Sequence, residues 1–189
     1  MAVKIGLRDL HYAPVTSDND QGIVYGTPKK IAGAVSATVA PNVSSDSFYA
    51  DDGPMDTVTN MGEVELSISV ADIPLEDLAV LLGHTINATT KVISKKAGAI
   101  PPFVAIGFKS IKSNGKYKFV WLTKGKFREP EDNFETKTDS ANFQPASIVG
   151  SFVKREFDDV WQHVTDEDAE GFVPAVATNW FTAVEPSAI

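Results

Sequence analysis

The clearest hydrophobic pattern in the chain runs from Glu63 to Val70. Val64, Leu66, Ile68 and Val70 alternate there with Glu63, Glu65, Ser67 and Ser69. Successive side chains of a strand point to opposite sides, so strict alternation predicts a strand with one face in a core and the other in water. Ile31 to Val39 reads as its partner, with Ala34, Ser36 and Thr38 alternating against Val35, Ala37 and Val39. Its small side chains admit close approach by another element. Between the two strands, from Ala40 to Met61, neither a strand nor a helix period holds. A stretch of about twenty residues without period is unusual in a compact domain and means function or disorder. The pair therefore predicts a hairpin with a long loop at about 40–61.

Only one segment carries a helical signature. Asp72 is placed to cap it, Pro74 suits its first turn, and Glu76 and Asp77 complement the positive end of its dipole. Leu75, Leu78, Leu81 and Leu82 form an apolar stripe, and Gly83 marks the stop. A helix over about 72–83 is too short to stand alone and has to pack on a sheet.

The remaining apolar runs read as strands: Val3 to Val15, a short return at IVYGTPKK, and Thr85 to Lys95. FVAIGFKSI and YKFVWLTKGKF flank SNGK at 113–116, and Asn-Gly between two such runs is a strong signal for a tight hairpin. In the second arm, Tyr117, Phe119 and Trp121 fall on one face and Lys118, Val120 and Leu122 on the other. REPEDNFET is a polar connection, Ala146 to Phe157 a further strand, and 158–171 an acidic, loose segment. With eight to ten strands and one helix, the fold class is mainly β, a sandwich or barrel-like domain over 1–165 with a tail or arm over 166–189.

Composition narrows the function classes. The chain has 189 residues, no cysteine, and a net charge of −8. Disulfides, thiolate metal sites and cysteine nucleophiles are thereby excluded, which fits a reducing compartment or a particle assembled in one. MAVKIGLRDL lacks the apolar stretch of a signal peptide, and no apolar run reaches the ~18 residues of a membrane helix. The charge is segregated: Lys91 to Arg128 holds ten basic residues and no acid, and all 25 acids lie elsewhere with seven basic residues. That block reads as a solvated sheet face, as a surface that joins copies of the chain, or as a nucleic-acid patch.

Candidate chemistry is sparse. His11, His84 and His163 form no ligand pair at helical spacing, and no nucleophile elbow, zinc-protease, Walker or dinucleotide motif occurs. Aligned as a calcium loop on Gly53, the acidic stretch would place Phe48 and Ala50 at ligand positions and Thr59 at the closing one, so it is not an EF-hand. Glu63 and Glu65 read as solvated rather than catalytic, and the NVS and NAT sequons mean nothing without secretion. Tyr117, Phe119 and Trp121 read as a core face, with a base-stacking platform as the alternative. The expectation is a non-enzyme with no cofactor and no metal.

Four stretches in order, PNVSSDSFYADDGPMDTV, VADIPLEDLAVLLGH, FVAIGFKSIKSNGKYKFVWLTKGKFREPEDNFETK and IVGSFVKREFDDVWQHV, resemble the major tail proteins of long-tailed, non-contractile bacteriophages. The resemblance covers about residues 5–165. It implies a β-sandwich with a flanking helix, assembly into rings of six, and stacking of the rings into a tube that conducts the genome. It also implies location in the virion tail after assembly in a bacterial host. The implied partners are further copies, the tape measure and tail terminator proteins, and DNA in transit, with no membrane.

Under that resemblance the 40–61 loop becomes a docking arm. Phe48 and Tyr49 are its expected anchors and Asp46, Asp51, Asp52 and Asp56 its charge-matching groups. Lys109, Lys112, Lys116, Lys118, Lys124 and Lys126 of a neighbouring copy are the expected partners. Glu63, Glu65, Ser67 and Ser69 are expected to face the lumen, where an acidic, polar wall repels phosphate. A barrel of about eight strands fills its own interior and an aqueous channel needs ~16 or more, so several copies have to share one bore. The rival readings are a carbohydrate- or receptor-binding β-sandwich with Trp121, Trp161 or Trp180 exposed, and a DNA-binding module using the lysine block.

Overall fold

The structure is a computed structural model, and it describes residues 2–50, 52–132, 136 and 145–184. Asp51 and most of the connection after Asp132 lie outside these, as do the side chains of Tyr49, Ala50 and Pro54.

The fold is mainly β and sandwich-like. Its strands are β1 (Lys4–Asn19), β2 (Gly22–Tyr25), β3 (Lys29–Ile31), β4 (Ala34–Ala50), β5 (Gly53–Val70), β6 (Thr85–Ile86), β7 (Ile93–Ser94), β8 (Val104–Lys112), β9 (Tyr117–Phe127), β10 (Ala146–Val153) and β11 (Gln162–Asp166). Two helices, α1 (Leu75–Leu82) and α2 (Pro174–Asn179), accompany them. One antiparallel sheet runs β2-β1-β8-β9-β10-β5-β4, with β3 added on β1 and β11 added on β9, while β6 and β7 form a separate pair.

The sheet curls around its principal core. Leu10 and Tyr12 of β1 share one buried cluster with Val64, Leu66 and Ile68 of β5, although the two strands are far apart in the sheet order. The alternation of β5 is realised as read: Val64, Leu66, Ile68 and Val70 are buried, Glu63 and Glu65 are exposed, and Ser67 and Ser69 are half-buried.

Helix α1 closes one side of this core through Ala79, Leu81 and Leu82. Gly83 ends it in the left-handed region at φ 71, and a Cβ there would come within 2.4 Å of the Ile100 carbonyl oxygen. Two details differ from the sequence reading. Pro74 occupies the cap position without a side-chain cap bond, so Asp72 does not cap the helix, and Leu75 is exposed. Asp77 is buried in place of Leu75's expected contact. Its carboxylate accepts a hydrogen bond from the Tyr12 hydroxyl at 2.8 Å and an ion pair from Lys29 at 2.6 Å. A carboxylate in a first turn reads as a dipole partner, and only the tertiary contact shows that it ties the helix to β1 and β3.

A second, smaller core lies on the other face of the sheet. Ala13, Ala105, Phe119 and Trp121 pack there against Trp180 and Val184, and the Trp121 indole donates to the Trp180 carbonyl at 2.9 Å. Gly107 permits this, because a Cβ at that position would meet the Trp121 ring at 2.5 Å. Both faces of β9 are therefore buried. Helix α2 escaped the sequence reading because six residues are too few to show a period; Val176 and Ala177 pack only partly buried against this core, and the fully buried anchors Trp180 and Val184 follow it. Trp180→Ala should cost about 3–5 kcal/mol, read as a lowered thermal midpoint, since it empties this core.

The acidic 158–171 segment is ordered rather than loose. Its strand β11 pairs with β9 from Gln162↔Leu122 to Asp166↔Lys118. Asp158 and Asp159 pair locally with Arg155 and Lys154, whereas Asp166 and Asp168 answer Lys112 and Lys116, far away in sequence.

Candidate functional site

The expected loop at 40–61 is a two-stranded ribbon. Strands β4 and β5 stay paired from Val43↔Met61 to Ala50↔Gly53, and Asp52, in the left-handed region at φ 62, completes the turn. The ribbon leaves the sheet at Pro41, where the register shifts between Pro41 and Val43. Proline cannot donate to a ladder and sits at edges and bulges. Beyond this point both faces of the ribbon meet solvent, so no alternation was needed to build it.

Register assigns its two faces. Ser45 opposite Thr59 and Ser47 opposite Thr57 form one, with hydroxyl contacts of 3.0 and 3.3 Å. The other sets Asp46 opposite Val58 and Phe48 opposite Asp56, an apolar and acidic checkerboard. Phe48 is 65% exposed, Met55 74% and Val58 56%. Asp46, Asp52 and Asp56 are exposed and make no ion pair among the described residues. Sequence reasoning named Phe48 and the acids but missed Met55 and Val58, which are exposed on the same ribbon. The expected roles of Asp51 and of the Tyr49 side chain lie outside the described residues.

The expected basic partner surface is mostly consumed within the chain. Lys109 pairs with Asp9 at 2.7 Å, Lys112 with Asp166 and with Asp168 at 2.9 Å, and Lys116 with Asp168 at 3.1 Å. Lys124 is buried between Asp18 at 2.7 Å and Glu156 at 3.0 Å. Burial works to lower its ammonium pKa, but the two carboxylates outweigh that and raise it. Lys126 lies over the Phe103 ring at 4.3 Å, and neither it nor Lys118 has a carboxylate partner among the described residues. This corrects the picture of an open lysine patch. The basic block and the acidic segments are separated in sequence and joined across β1, β8, β9 and β11.

These pairs carry a pH dependence. Hydrogen bonds from Lys109 and Lys30 lower the Asp9 carboxyl from 3.8 to about 2. A depressed carboxylate adds stability above its unfolded value and loses it as pH falls toward the folded one. Asp9→Asn should therefore lower the thermal midpoint by about 2–4 °C near neutrality. The gap to the parent should close between pH 3.8 and about 2, which melts across that range will check.

The outward face of β4, β5 and β10 is small and polar. Register sets Ser36 beside Ser69 and Ser147, Thr38 beside Ser67 and Val149, and Ala40 beside Glu65 and Ser151. The expected lumen set, Glu63, Glu65, Ser67 and Ser69, lies together on this face. Glu65 contacts Arg128 at 3.7 Å, both exposed, which leaves a weak pair. Strand β4 is an edge, pairing only with β5 among the described residues.

No protein-family model matches the chain, and a comparison with curated proteins returns no match either.

Proposed function

We propose that the protein is a self-assembling structural subunit of a phage tail tube, with the β4–β5 ribbon as its docking arm and the small polar sheet face as the wall of a shared bore. One observation carries this reading: a ribbon with both faces in solvent displays Phe48, Met55 and Val58 among unpaired acids. Exposed aromatic and aliphatic side chains on a projecting element are costly in a monomer and useful at an interface, where aromatic anchors supply most of the energy. Unpaired edges such as β4 invite pairing with another chain.

The rival readings lose their anchors. Trp121 and Trp180 are buried at 0% and 2% exposure, and Trp161 is half-buried against the main core beside a small cleft of about 180 Å³, so at most one of the three indoles is open to a sugar. The lysines that a DNA-binding module would use are mostly engaged by carboxylates.

The double variant Phe48→Asp with Met55→Asp tests the role of the arm. Near-ultraviolet dichroism and melting should match the parent, because neither side chain belongs to a core. Losing a hot spot of about 2 kcal/mol should raise the concentration at which large species form ~30-fold, read by sedimentation velocity. Assembly at the parent's concentration would contradict the proposal.

A further inference from the structure

The ribbon needs a receiving site. We infer that the cleft between β1, β4 and β11 is the socket for the ribbon tip of a second copy. This rests on the docking-arm reading and names its partner surface.

The cleft holds about 430 Å³. Leu7, Val39, Phe108 and Val120 supply its apolar lining, and Lys4 and Lys118 its charge; no carboxylate lines it. Neither lysine has a carboxylate partner among the described residues, unlike Lys109, Lys112, Lys116 and Lys124. Three strands border the cleft, and each has an unpaired edge among the described residues. Strand β4 pairs only with β5, β11 only with β9, and β1 from Lys4 to Asp9 only with β8. Free edges around an apolar floor are what an added strand requires.

The ribbon is complementary on both counts. It is itself a strand pair, and its checkerboard face offers Phe48 and Val58 to the floor and Asp46 and Asp56 to the lysines. From Ile31 to Thr90 the chain has no lysine or arginine, so nothing on the arm offsets its acids. The contact has to be between copies. Val39 lines the cleft and Ala50 ends the same strand, so at ~3.3 Å per residue the tip stands ~35 Å away along it. That length exceeds the ~16 Å radius of gyration of a chain this size, enough to reach a neighbour.

Because the chain has no cysteine, introduced thiols report the contact cleanly. Mixed and oxidised, Phe48→Cys and Val164→Cys proteins should give a covalent dimer on a non-reducing gel. Phe48→Cys mixed with Val149→Cys, on the outward sheet face, should give none. In parallel, Lys4→Glu with Lys118→Glu should raise the assembly concentration at least about tenfold. Asp46→Lys with Asp56→Lys should do the same, and all four changes in one chain should restore assembly. If the cleft variant assembles like the parent while loss of the ribbon abolishes assembly, the arm stands and this socket is wrong. A cross-link to Val149→Cys in preference to Val164→Cys also overturns the socket. If no variant or parent associates at all, the socket and the docking arm fall together.

Discussion

Replacing residues 44–60 with an Asn-Gly turn that joins Val43 to Met61 is expected to give a chain that folds as its parent does and never assembles. Val43 and Met61 face each other in register, so a two-residue turn of this kind can close the hairpin there. No described side chain of the removed segment belongs to either core; the last β5 residue in the main cluster on that side is Val64. The described side chains of the segment are almost all exposed, so its loss should move the thermal midpoint by no more than about 2–4 °C. What disappears is the exposed apolar and acidic face of Asp46, Phe48, Asp56 and Val58. Sedimentation velocity over a wide concentration range should show one small species where the parent is expected to form large ones. Tubes or rings from the shortened chain would refute the docking role.

The second large effect concerns the proposed bore. Glu63→Lys combined with Glu65→Lys and Ser67→Lys is expected to leave assembly intact and to make the tube grip DNA. These positions point away from the core on β5, so lysines there disturb no packing. Glu65 has only an exposed partner in Arg128, so its reversal costs little stability. A subunit that now neutralises phosphates releases counterions, and retention should weaken with salt at a slope of about −0.9 per phosphate engaged. Genome passage through particles carrying this subunit should be slow at low salt and recover as salt rises. Unchanged passage with a flat salt response would show that this face does not line the bore.

What could be read in the sequence depended on whether a residue's partners lie near it along the chain. The core half of β5 was legible because a single buried face forces Val64, Leu66, Ile68 and Val70 into period two. The outer half was not, because the ribbon from Val43 to Phe48 has two wet faces and its pairing rests on backbone bonds and on Ser–Thr contacts. Gly83 was legible as a stop, since the left-handed turn makes its own local demand. Asp77 was not, because its reason for burial is Tyr12, 65 residues away. The same distance hid the fate of the lysines. A basic block looks like an open patch until β11 returns Asp166 and Asp168 to Lys112 and Lys116. Sequence segregates charge here, and the fold recombines it. The lysines left over, Lys118 and Lys126 of the expected six, are what a sequence count cannot single out.

This recombination sharpens the candidate site as well. With most of the basic block paired internally, Asp46, Asp52 and Asp56 of the ribbon are acids without ion-pair partners among the described residues, close to exposed apolar side chains. Under the proposed self-assembly, the cleft beside Lys4 and Lys118 offers strand edges, an apolar floor and positive charge together.

Electron microscopy of the concentrated protein tests the central claim most directly. Association through the ribbon around a common axis predicts rings or stacked tubes with an open bore, in which residues 44–58 of each copy are buried against another. A protein that stays dispersed at every concentration, or an ordered particle whose ribbons touch only solvent, would contradict it.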